Sequence, residues 1–236
     1  MLIGDNDWSD CDRPDVALSY FMNSFGNGKK ITGRNTGPNP FGFGTLSDPN
    51  MAKTLVYDDM GESSTSQTYP SSASNFAFYY EQVLLVGINQ VGGSSKGDES
   101  TRVANNFNFV KSKMAKHANK LKTVVIFAHA GMSNATRYEY FGKPFQSLLR
   151  SQYPDVFCLY AHGDWHDYDI YRSDKDNANL INLSCDSGDK AEPLLVSITR
   201  DPTGGRDGLR IDRRGGQYRN DCDEGNKERT WGSDIW

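Results

Sequence analysis

Three short runs that are apolar on both faces constrain this chain more than any other feature. They are VLLVGI (83–88), TVVIFA (123–128) and VFCLYA (156–161). A strand with one wet face alternates polar and apolar residues, whereas a strand covered on both faces reads as a continuous apolar run. The intervening sequence is helical in period: across 100–121, Val103, Phe107, Val110 and Met114 share one face. A second, shorter helix is expected over 144–151, with Pro144 suited to its first turn. Strand, helix, strand, helix, strand predicts an α/β layered core with parallel strands.

The flanking sequence is less ordered in pattern. Residues 76–88 read as one or two strands, and YDIYR (168–172) and LLVSI (194–198) as more polar ones. Val16, Leu18, Phe21, Met22 and Phe25 have helical spacing over 14–25, stopped by Gly26. The stretch 26–75 is rich in Gly, Ser, Asn and Pro, and SSTSQTYPSSAS (63–74) within it reads as a surface loop. In the same stretch, GNGKK (26–30) lacks the GxxxxGK[ST] spacing of a phosphate loop. Residues 201–236 are Gly-, Arg- and Asp-rich with few aliphatics, and a disordered tail is expected there. One domain over 1–200 followed by that tail is the expected organisation.

Composition excludes several classes. Hydrophobic residues make up 36% and aromatic ones 12%, enough to build a core, so the bulk of the chain is not disordered. The net charge of −4 argues against a nucleic-acid scaffold. No apolar run reaches the roughly 18 residues of a membrane span, so no membrane segment is expected. The start MLIGDNDWSDC lacks the basic and apolar regions of a signal peptide, which says nothing if the chain is a fragment. The four cysteines form no CxxC pair, which argues against a zinc knuckle. Sequons at Asn134 and Asn182 lean towards a secreted or extracytoplasmic setting.

Chemistry concentrates after the buried strands. His129 directly follows TVVIFA, and His162 and His166 follow VFCLYA in the string AHGDWH. Ligands in open α/β sheets gather outside the carboxyl ends of the strands. The string GDNDWSDC adds Asp5, Asn6 and Asp7. Imidazole and carboxylate donors together suit Zn, Mn or Fe rather than Ca. His117, on the polar side of the 100–121 helix, is expected to face solvent. Ser94 and its neighbours offer no GxSxG elbow for acyl chemistry.

In this order and spacing, the motifs resemble those of the calcineurin-like metallophosphoesterases, in particular a branch with GDNEW-like strings. That family carries DxH, GDxxD, GNH[DE], a single His after a strand, and GHxH. Here Gly4-Asp5-Asn6-Asp7 looks like GNH[DE], His129 in FAHAG like the single His, and Gly163-Asp164-Trp165-His166 like GHxH with Asp in the first His place. The resemblance spans about residues 1–200 and implies a four-layer αββα sandwich acting on a phosphate-ester substrate. It further implies that Asp5, His129 and Asp164 bind one divalent ion and that His166 is one ligand of a second. Asn6 would stand where the family has a proton-donating His, and Asp7 would orient Asn6 or hold it through an outer hydrogen bond. No DxH or GDxxD precedes GDND, so the chain is expected to be a C-terminal portion that lacks the family's N-terminal strands. Its two-metal site would then be incomplete and the chain as written inactive. The alternative is a non-catalytic relative that binds one metal or a protein partner. Asp10, Asp12 and His162, beside these motifs, are the substitute ligands if the assignment fails.

Overall fold

A computed structural model describes residues 56–60, 75–92, 99–172, 179–185, 194–199, 208–213 and 228–231. The apolar runs form β3 (Val83–Gly87), β4 (Thr123–Phe127) and β5 (Phe157–His162). They pair in parallel, and β5 continues in parallel to β7 (Leu180–Ser184). Antiparallel strands flank this core: β2 (Phe76–Tyr80) and β1 (Val56–Met60) on one side, β6 (Asp169–Arg172) on the other. The sheet order is β1-β2-β3-β4-β5-β7-β6. The fold is therefore α/β around a mixed central sheet.

Each face of that sheet has its own cover. Leu84, Val86, Val124, Ile126, Cys158 and Tyr160 point to a helical layer of α1 (Glu99–Lys116) and α3 (Lys143–Gln152), supplied by Val103, Val110, Met114, Phe145 and Leu149. The alternate residues Val125, Phe157, Leu159, Ile181 and Leu183 meet Leu209 and Ile211. Those two belong to β9 (Gly208–Arg213), the middle strand of a small antiparallel sheet with β8 (Leu194–Thr199) and β10 (Glu228–Trp231). Three layers are thus present among the described residues, a helical layer and two sheets.

Several expectations are refined. Residues 76–88 are two strands joined by Glu81 and Gln82, both at positive φ, as the twist of a two-residue hairpin demands. Residues 56–60, in the Gly-, Ser-, Asn- and Pro-rich stretch, are strand β1, and within the expected tail 208–213 and 228–231 are strands. Leu209 and Ile211 alternate with Arg210 and Asp212, a half-buried strand pattern hidden in a polar composition. Before α3, the short helix α2 (Ala135–Arg137) and a wider turn, Tyr138–Gly142, bring Phe141 into the core against Phe145 and Tyr160. His117 stacks on the Tyr79 ring at 4.0 Å rather than simply facing solvent. The proposed helix at 14–25, and Asp5, Asn6, Asp7, Asp10 and Asp12, lie outside the described residues.

Candidate functional site

The carboxyl ends of β3, β4 and β5 meet through their loops. His129 follows β4, and its backbone is held from three directions. Ala128 N–H donates to the Ala161 carbonyl (3.0 Å), and Ala130 N–H to the Gln90 carbonyl (2.8 Å). Gly163 and Asp164 N–H both donate to the His129 carbonyl, each at 3.0 Å. Beneath these loops, Tyr160 hydroxyl donates to the Ala130 carbonyl (2.8 Å) and also bonds the Gln90 amide. A buried amide cluster fixes the end of β3. Asn75 Nδ2 donates to Asn106 Oδ1, and Asn106 Nδ2 to the Asn89 carbonyl. Asn89 N–H donates to Asn75 Oδ1.

These constraints bring His129 Nδ1 to 3.8 Å from Asp164 Oδ1, both side chains being about four-fifths buried. Gly92 permits the approach: a Cβ there would overlap the Asp164 carboxylate. Gly92 N–H also donates to His129 Nδ1 at 3.2 Å. An ion about 2.1 Å from each of two tetrahedral ligands sets those ligands roughly 3.4 Å apart. The pair therefore fits as two ligands of one ion after a shift of a few tenths of an ångström, an ion on Nδ1 taking the place of the Gly92 hydrogen bond. His166 ends the Gly163–His166 turn, exposed and with φ of 58°. Among the described residues, no three His, Cys, Asp or Glu side chains form a group able to hold a metal.

Two features of this loop cluster carry no sequence motif. Arg137, at the end of α2, places Nη1 3.9 Å from Asp164 Oδ2. His162, two residues before Asp164, is buried beside Trp165 and Tyr171, whose rings stack on each other at 5.7 Å. Its Nε2 is 3.4 Å from the Tyr171 hydroxyl, and its Nδ1 is buried without a partner. Burial first, then the positive charge of Arg137 and the proximity of His129, push its pKa down to about 4. His162 is a neutral imidazole near neutral pH.

The comparisons with known proteins are sparse. No family model matches the sequence, and no curated protein matches it. Among solved structures the chain is similar to the crystal structure of 5'-nucleotidase from Candida albicans SC5314, at 13% identity and a TM-score of 0.32. That match covers 66% of this chain and 25% of the nucleotidase, so the chain spans about a quarter of its length.

Sequence reasoning missed Arg137 because nothing local marks it; its relevance depends on the turn that follows β4. Gly92 had a signal, the Gly92-Gly93 pair immediately after a buried strand, where close backbone approach is common.

Proposed function

We propose that this chain is a metallophosphoesterase-type phosphoric ester hydrolase whose His129 and Asp164 hold one divalent ion, of Mn, Zn or Fe. The observation that carries the reading is their convergence, delivered by adjacent parallel strands and made possible by Gly92. When bound, such an ion polarises a phosphoryl oxygen and makes a bound water acidic enough to serve as a nucleophile. The protein's own part is to fix the two donors through the His129 carbonyl and the Gln90–Tyr160 contacts, and to shield them on the sheet side. Asp5 would complete this ion's ligands, His166 would serve a second ion, and Asn6 and Asp7 would stand beside the leaving group. These four assignments rest on the motif resemblance. A four-layer sandwich and a dinuclear centre belong to the same proposal.

A second reading has one observation in its favour. The described donors fall short of three ligands for even one ion, as in a non-catalytic relative that binds a single metal or a protein partner. Turnover of an aryl phosphate monoester and diester separates the two. The full chain is assayed with Mn²⁺ or Zn²⁺, with chelator, and as His129→Ala and Asp164→Ala. Chelator-sensitive turnover lost in both variants supports hydrolysis and overturns the expectation that the chain as written is inactive. Ion binding without turnover supports the non-catalytic, metal-binding reading. The absence of both binding and turnover contradicts hydrolysis and single-metal binding and leaves the protein-partner alternative.

A further inference from the structure

We propose that Arg137 is the oxyanion-holding residue of this loop cluster, binding the phosphoryl group of a phosphate ester, or inorganic phosphate, through its guanidinium. The inference rests on the phosphoester reading of the site but is measured without turnover.

The argument starts from unmet hydrogen bonding. A guanidinium offers five N–H donors and carries a permanent charge. The Arg137 side chain is only 11% exposed. Its Nη1 donates to the Val91 carbonyl at 3.1 Å, and its Nε is buried with no partner. Among the described residues, the carboxylate that faces it is Asp164, an ion pair at 3.9 Å, outside hydrogen-bond range. An arginine kept for structural pairing forms two parallel bonds of about 2.7–2.9 Å to its carboxylate. Arg137 has no such pairing, and leaving a buried donor unmet is costly. A tetrahedral oxyanion supplies the missing acceptors and matches the planar fork.

Its location suits that role. Arg137 follows the β4 loop that carries His129, and Nη1 bridges towards the β3 loop at Val91 and the β5 loop at Asp164. Gly163, next to Asp164 in the chain, is itself uncrowded: a Cβ there would meet nothing within 4 Å outside its chain neighbours. Gly131 lies against the His162 ring.

The test uses the full chain in chelator, with inorganic phosphate titrated calorimetrically against wild type, Arg137→Lys, Arg137→Gln, Asp164→Asn and the double variant Asp164→Asn/Arg137→Lys. Removing the Asp164 charge takes a repelling group from the anion and leaves Arg137 in place. Asp164→Asn is therefore expected to bind phosphate several-fold more tightly. Arg137→Lys, which keeps the charge but loses the fork, is expected to weaken binding about tenfold in either background. Phosphate binding that is the same in wild type and both Arg137 variants overturns the proposal. So does an absence of saturable binding in both wild type and Asp164→Asn. Loss of turnover in the aryl phosphate assay with Arg137-dependent phosphate binding intact removes the hydrolase reading and leaves this one standing.

Discussion

Gly92 and His162 show how single positions set the properties of the loop cluster. A methyl group on Gly92 would overlap the Asp164 carboxylate. Gly92→Ala is expected to drive Asp164 away from His129 and to weaken divalent-ion binding at least about tenfold, with the thermal midpoint changing little, since the shift occurs at a partly open loop. Unchanged ion affinity in that variant would contradict the geometry. His162 makes a pH prediction. Its folded pKa of about 4 lies below the ordinary 6.5. The unfolded chain therefore takes up the proton first as pH falls, so the stabilisation is complete above pH 6.5 and lost towards pH 4. Between pH 7.5 and 5 the loss is about 2 kcal/mol. Urea unfolding in chelator should show it, and His162→Gln should flatten the dependence. Equal slopes in both proteins would show that His162 is not the group responsible. At this scale the sequence placed His129 and Asp164 at neighbouring strand ends, because His129 comes two residues after β4 and Asp164 two residues after β5. It did not reveal Arg137, whose partners are backbone and side-chain groups more than 25 residues away in sequence.

The strands and helices were legible to the degree that their patterns were strong. VLLVGI, TVVIFA and VFCLYA became β3, β4 and β5 within a residue at each end, because continuous apolar runs of that length have few other solutions. The Glu81–Gln82 hairpin was not legible, since neither residue is the Asn or Gly that normally marks such a turn. Strand β9 was hidden by its Arg and Asp residues, although Leu209 and Ile211 keep the two-residue period. The amide cluster that holds the end of β3 also lies beyond sequence patterns, because Asn75, Asn89 and Asn106 come from three separate elements. Asn106 is fully buried on α1. Replacing it with Ala leaves the Asn75 amide and the Asn89 carbonyl each short of a partner, at a cost of about 1–3 kcal/mol. Chemical denaturation measures that loss, and a change under about 0.5 kcal/mol would mean that water replaces the side chain without penalty.

For the molecule as a whole, the small sheet covers the second face of the core. Ile211 is fully buried against the cluster that includes Leu159 and Leu183. Ile211→Asp places an unpaired charge there and is expected to destabilise the protein by several kcal/mol and expose apolar surface to a hydrophobic dye. An unchanged melting temperature would show that β9 does not seal that face. The helical layer is independently anchored by Phe141, Phe145 and Tyr160, which is why the site's loops have a fixed floor. The proposed function requires His129 and Asp164 to share one ion. Calorimetric titration of the full chain with Mn²⁺ tests it most directly. Saturable binding is expected in wild type, weakened at least about tenfold by His129→Ala and by Asp164→Ala, as follows when a ligand is removed. Binding that is absent in wild type, or that persists unchanged in both variants, would contradict it.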